Sequence, residues 1–259
     1  MLFRSLCASV ASVARRICTS YVDPSTIAPL LACRLIALNK QPGVRPIGIG
    51  DTARRIIAKA VLTIVGSDIQ DATGCLQLCG GQISGVEAAI HATRSALESD
   101  ESEATLLVDA TNGFNTINRL AALQNIRRLC PSIATILINC YRNPISLLVD
   151  GDVIPSQEGT TQGDPLAMPM YGLATIPLIR RLSGLCKQVW YADDSAATGT
   201  LQQLRAWWER LTKHGPAFGY FPNPAKTWIV VKPKHHHEAT KVFADSGINI
   251  TSEGRSYLG

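Results

Sequence analysis

Two adjacent carboxylates, Asp193 and Asp194, sit between apolar segments that alternate like strands, from Val189 to Ala197. Like charges side by side repel, so a plain hairpin turn gains nothing from them. A divalent cation would reward the arrangement, although an ordinary Asp-rich turn stays open while the pair is taken alone. A third carboxylate, Asp109, ends the short apolar run Thr105-Leu-Leu-Val-Asp109, which reads as a buried strand. A strand-end Asp beside a hairpin-tip Asp pair is the geometry that holds two Mg²⁺ ions about 3.5–4 Å apart. One ion activates an attacking hydroxyl and the other stabilises the leaving phosphate oxygens, which is nucleotidyl transfer.

Composition bounds the class around that constraint. Of 259 residues, 46% are hydrophobic and 17% charged, enough apolar material for one large domain or two subdomains. No apolar run reaches the ~18–20 residues of a spanning helix, the longest being broken by Lys59 and by the polar stretch Asn139–Pro144. Eight cysteines are scattered without a C-x-x-C and read as free thiols, with Cys75 and Cys79 too isolated for a zinc site. An intracellular protein of nucleus or cytoplasm, without a membrane, is expected. Met1–Thr19 is rich in Ser, Ala and Arg with no acid before Asp23, so a mitochondrial transit segment is the less favoured alternative. Residues 1–60 hold nine Lys or Arg against two Asp, a net +7 within an overall +5. That basic quarter suits a nucleic acid or a nucleoside triphosphate, and a basic surface with no ligand suits the charge equally well.

Hydrophobic periodicity predicts helices over 52–69, 83–97, 117–129, 132–142, 166–182 and 200–214. Ser84-x-x-Glu87 and Thr200-x-x-Gln203 read as capping boxes, with Ile83, Val86, Ile90 and Leu97 on one face and Gly215 as a helix stop. Asp150-Gly-Asp152 predicts a hairpin between 145–149 and 153–155. The Asp pair predicts a second, and 226–232 a strand. Glu98–Glu103 reads as a solvated loop, and His235-His-His237 as an exposed loop between strands.

Five segments accompany the Asp pair. They are Arg45-Pro-Ile-Gly-Ile (preceded by Arg34-Leu-Ile-Ala-Leu-Asn-Lys40), Asp109-Ala-Thr-Asn-Gly-Phe114-Asn115, Gly159-Thr-Thr-Gln162-Gly163-Asp164-Pro165-Leu166, Gly219-x-x-Pro-Asn223-Pro-Ala-Lys226-Thr227 and Gly254-Arg-Ser-Tyr257-Leu258-Gly259. In this order they resemble the reverse transcriptases, most of all those of retrotransposons and related mobile elements, from roughly Pro29 to Gly259.

The resemblance implies a role for each segment. Arg45 would clamp the incoming triphosphate, where a planar fork suits phosphate oxygens; a surface arginine before proline is the bland reading. Asp109 would bind metal, with the Ala110 carbonyl as an extra ligand, and Phe114 would gate against a ribose 2′-OH, although a core aromatic is the commoner role for such a residue. Gln162 would contact template or nucleotide, and Gly163 would let the backbone approach a nucleotide; a flexible loop capping a helix is the alternative. Asp193 would be the stronger metal ligand and Asp194 the less essential one. Lys226 would approach the departing pyrophosphate and protonate it, unless it is simply solvated. Residues 254–259 resemble the start of a primer-grip hairpin.

The expected fold is α+β, a polymerase right hand with an antiparallel palm sheet packed on helices and the thumb absent. Residues 1–103 and 117–155 would form fingers, and 104–116 and 156–259 the palm. The expected reaction is RNA-directed DNA synthesis with two Mg²⁺ ions, or Mn²⁺, on an RNA template with a DNA or RNA primer and deoxynucleoside triphosphates. A longer polypeptide would supply the missing thumb. The alternative is a non-catalytic nucleic-acid-binding remnant of a truncated reading frame.

Overall fold

Residues from Ala104 to Val108 are apolar on both faces, so this strand needs cover on both sides. The computed structural model describes residues 2–41 and 43–258 and places that strand at the centre of a sheet. Helices α1 (Leu2–Thr19) and α2 (Pro24–Leu31) come first, then a hairpin of β1 (Cys33–Asn39) and β2 (Val44–Gly50). Helices α3 (Thr52–Thr73) and α4 (Gly85–Glu98) lead to β3 (Ala104–Val108). One helical turn, α5 (Gly113–Thr116), precedes α6 (Arg119–Leu129), α7 (Pro131–Tyr141) and the hairpin β4 (Ile145–Val149) and β5 (Asp152–Ser156). Helix α8 (Ala167–Leu182) enters the hairpin β6 (Lys187–Tyr191) and β7 (Asp194–Gly199). The described elements end with α9 (Leu201–His214), β8 (Trp228–Val231), α10 (His236–Val242) and β9 (Asn249–Thr251).

The strands form two sheets, β6-β7-β3-β8-β9 and β2-β1-β4-β5. The first is mixed rather than wholly antiparallel, because β9 runs parallel to β8, and the second contains the parallel pair β1 and β4. Helix α8 is apolar nearly all round because it lies between two cores. Met170, Tyr171 and Leu173 join the core of α3, α6 and α7, while Ile176, Leu178, Ile179 and Leu182 join Trp190, Trp207 and Tyr220 under the five-stranded sheet.

Local chemistry explains most boundaries. Asp51 accepts from the Ala53 N–H at 2.7 Å to start α3, and Thr200 with Gln203 forms the expected capping box of α9. Asp150 (φ 48°) and Gly151 (φ 89°) make the tight β4–β5 turn. Helix α1 docks on α7 through Val10, Ala14, Ile17 and Cys18. Asn139 fastens its end, donating to Ile17 O (2.7 Å) and Ser20 O (2.8 Å) and accepting from Val22 N (3.0 Å). Among the described residues no helix is long and apolar enough to cross a membrane.

Several expectations fail for physical reasons. Ser84 is left-handed (φ 51°) and makes no cap bond, so no capping box starts α4. The buried face of α4 is Gly85, Ala89 and Thr93, small enough to lie close on β6 and β7, while Ile83 is 92% exposed. Helix α9 does end at His214 with Gly215 as its C-cap, but Gly215 keeps right-handed angles and opens a 3₁₀ turn, and the left-handed glycine is Gly219 (φ 75°). Lys226 closes a 3₁₀ turn, so the strand begins at Trp228. His235–His237 is a 3₁₀ turn entering α10 rather than a loop.

Candidate active site

Register brings the carboxylates together. Strand β3 pairs with β7 so that Val108 faces Ser195, and continuing one position outward sets Asp109 beside Asp194. Tyr191 pairs with Asp194, so Ala192 and Asp193 alone form the β6–β7 turn and Asp194 is the first residue of β7. Burial pushes the Asp194 carboxyl up to about 7, with repulsion from Asp193 and then Asp109 adding to it. Asp193 is raised too, by burial and then by Asp109, while Lys40 and Arg45 pull the other way.

These residues suit a divalent cation. Burial and mutual repulsion penalise the ionised pair, and a cation would remove both penalties at once. Among the described residues no three His, Cys, Asp or Glu side chains already converge as a ligand cluster. The Asp109 side chain is 42% exposed, with the Lys226 ammonium 3.9 Å away. Ala110 bridges to Pro222, but the bonds of that bridge run from Asn223 N to Asp109 O and from Thr111 N to Phe221 O. The Ala110 carbonyl therefore lies outside the ladder.

The turn is held tightly from below. Ala192 has φ 52°, a left-handed backbone unfavourable for a residue with a Cβ. Gln77, fully buried in the α3–α4 loop, accepts from Ala192 N–H at 2.9 Å and donates to Ala192 O at 3.0 Å. Tyr220 donates to Asp193 O at 2.9 Å. The Phe114 ring stacks on Tyr171 with centroids 4.5 Å apart. It is half-buried and packs against the core.

The Gly159–Leu166 loop links β2 to the segment that follows β3, with Thr160 N–H donating to Phe114 O at 2.6 Å. Gly48 N–H on β2 donates to Gln162 O at 2.8 Å. Gly163 has φ 102°, and a Cβ there would lie 2.7 Å from Gly48 O. The observed close approach at Gly163 is thus to the β2 backbone, a reason for glycine that the sequence reading did not contain. Asp164 points inward, ion-paired to buried Arg54, bonded to the Tyr141 hydroxyl and accepting from Leu166 N–H at 3.1 Å.

Arg45 is exposed on β2, opposite Leu38, and Lys40 starts the turn that joins β1 to β2. The charge of Lys40 favours the ionised form of both Asp193 and Asp194, and that of Arg45 the ionised form of Asp193, so Lys40 joins the candidate site although its sequence context assigned it no role. A cleft of about 380 Å³ is lined by Asp109, Asp194, Lys226, Arg255 and Tyr257. Arg255 covers the Trp228 ring at 4.3 Å, and burial followed by Asp194 pushes the Tyr257 hydroxyl up. Arg45, Asp109, Ala110, Phe114, Gln162, Gly163, Asp193, Asp194 and Lys226 thus lie along three segments and two hairpins joined by the contacts above.

No family model matches the sequence, and no curated protein matches it. Solved structures do. Apo telomerase from Candida tropicalis superposes with a TM-score of 0.63 at 9% identity, covering 90% of this chain and 50% of that one. The same telomerase truncated from its C-terminal domain gives 0.58 at 13% identity, over 79% and 51%. Candida albicans telomerase in complex with a fragment of telomeric RNA gives 0.59 at 11% identity, over 90% and 46%. This chain spans about half the length of those proteins. At such identities the likeness is one of fold: the chain has an α+β fold similar to that of these telomerases.

Proposed function

We propose that this chain is the fingers and palm of an RNA-directed DNA polymerase of the retroelement kind. The β6-β7-β3-β8-β9 sheet reads as palm and the β2-β1-β4-β5 sheet as fingers. The observation that carries this reading is the β3–β7 register, which sets Asp109 beside the Asp193–Asp194 turn. The likeness to telomerases, one of them bound to a fragment of telomeric RNA, supports RNA as a partner.

Asp109, Asp193 and the Ala110 carbonyl would hold two Mg²⁺ ions, with Asp194 beside them. When bound, these ions lower the pKa of a primer 3′-OH and neutralise charge on the leaving oxygens. Arg45 and Lys40 orient the triphosphate by charge and hydrogen bonds. Phe114, backed by Tyr171, excludes a 2′-OH, so Phe114→Ala admits ribonucleotides. Gln162 and Gly163 border the nucleotide, and Lys226 delivers a proton to the pyrophosphate oxygen as the P–O bond breaks.

A rival reading, nucleic-acid binding without chemistry, draws on the +7 charge of residues 1–60. Primer extension on an RNA template with deoxynucleotides and Mg²⁺ separates the two. Extension abolished in Asp193→Asn/Asp194→Asn supports the polymerase. Salt-sensitive template binding without extension supports the rival.

A further inference from the structure

We propose that Gln77 is a positioning residue that sets the metal-binding geometry of Asp193 and Asp194 by clamping the backbone of Ala192. The proposal rests on the reading of the carboxylates given above. Gln77 lies in the α3–α4 loop, remote in sequence from the β6–β7 turn, and is wholly buried.

Both N–H donors and the carbonyl oxygen of its amide are engaged. Oε1 accepts from Ala192 N–H (2.9 Å), and Nε2 donates to Ala192 O (3.0 Å) and to Thr175 Oγ1 (3.1 Å). Thr175 passes its own proton back along α8, to Gly172 O at 3.0 Å or Tyr171 O at 3.2 Å. The acceptor and donor ends of the amide are therefore fixed, and one planar group grips both polar atoms of a single residue.

That residue is the strained one. Ala192 holds φ 52° immediately before Asp193, a conformation that persists only where its surroundings enforce it. A neighbouring bond, Leu78 N–H to Trp190 O at 2.8 Å, pins the same loop to β6. Cys79 and Gln77 both abut Gly172 on α8, where a Cβ would lie 3.1 Å from Cys79 Sγ and 3.5 Å from Gln77 Cγ. The loop is thus a wedge between α8 and the turn, and loss of the clamp lets Ala192 relax and swings both carboxylates.

The test combines Gln77→Ala with Ala192→Gly, because glycine adopts φ 52° freely and needs no clamp. Two readouts are used: hydrogen exchange of the Ala192 amide, and Mn²⁺ binding followed by electron paramagnetic resonance. Gln77→Ala is expected to speed Ala192 exchange by at least tenfold and to weaken Mn²⁺ binding by about tenfold, the scale of losses outside a direct ligand shell. Adding Ala192→Gly is expected to restore most of the Mn²⁺ affinity, which general destabilisation would not produce. Gln77→Met, of similar length, tests the clamp if the alanine variant does not fold: it fills the volume and loses all three hydrogen bonds, and the same faster exchange and weaker binding are expected. Unchanged Ala192 exchange in a folded Gln77 variant overturns the proposal, as does equal Mn²⁺ affinity in wild type and Gln77→Ala. If wild type itself binds no Mn²⁺, the reading of the carboxylates fails, and Ala192 exchange still decides whether the clamp exists.

Discussion

Gly113 and Asp193 approach so closely that a methyl group on Gly113 would lie 2.7 Å from Asp193 Cβ and 2.9 Å from Tyr171 Oη. The first turn after Asp109 and the hairpin turn of the Asp pair therefore interlock. Gly113→Ala must displace one of them, and overpacking of this kind costs about 1–3 kcal/mol. Urea denaturation is expected to show that loss, with primer extension falling more steeply than stability. A Gly113→Ala protein of native stability and activity would show that the two turns move independently.

The Asp pair also makes stability depend on pH. An Asp carboxyl at about 7 in the fold, against 3.8 when unperturbed, binds its proton more tightly folded than unfolded. Its contribution is therefore complete at low pH and is lost as pH rises from about 4 to about 7. The loss is at most ~4 kcal/mol and is reduced by solvent access at the cleft. Asp194→Asn has no such term. Melting in the absence of divalent cations, followed from pH 5 to 8, is expected to show the variant gaining on wild type as pH rises. A constant difference across that range contradicts the assignment.

Arg54 and Asp164 are a buried ion pair, with side chains 5% and 3% exposed. Removing one partner strands a charge, at a cost of about 3–5 kcal/mol. Arg54→Met is expected to lose that much in equilibrium unfolding. Asp164→Leu added to it should cost less than the sum of the two single changes, although the Tyr141 hydroxyl then loses its acceptor. Strict additivity would show that the pair is not coupled.

The parts of the site that could be read from sequence are those whose chemistry is local. Asp109 at the end of an apolar strand, the Asp pair between strands and Asp150-Gly151 at a hairpin tip each carry their signal within a few residues. What escaped depends on contacts far apart in sequence. Gln77 looks like any polar loop residue until α8 and the β6–β7 turn close around it. Lys40 ends the Arg34–Lys40 run that precedes Arg45, but nothing within that run gives it a role, which comes from where β1 and β2 are held by the Gly48–Gln162 bond. The failure at Ser84 is similar. A capping-box spacing is present, but tertiary contact of Gly85, Ala89 and Thr93 with the sheet decides how α4 lies, and Ser84 takes a left-handed turn to allow it.

Lys40 and Arg45 provide the remaining test, because both charges act on the ionised Asp193 and neither is buried. In the proposed reaction their partner is the triphosphate, so their loss should appear in the nucleotide dependence of extension rather than in stability. Lys40→Ala and Arg45→Ala are each expected to raise KM for the deoxynucleotide about tenfold, a loss of one charge-assisted contact of about 1.4 kcal/mol. Arg45→Lys should recover little, since a point charge cannot reproduce two parallel hydrogen bonds to phosphate oxygens. Single-nucleotide addition at varied nucleotide concentration measures this directly, with melting temperature as the control. If KM is unchanged while template affinity falls with added salt, the two cations grip the nucleic-acid backbone instead, and the fingers hairpin is a template contact rather than a triphosphate clamp.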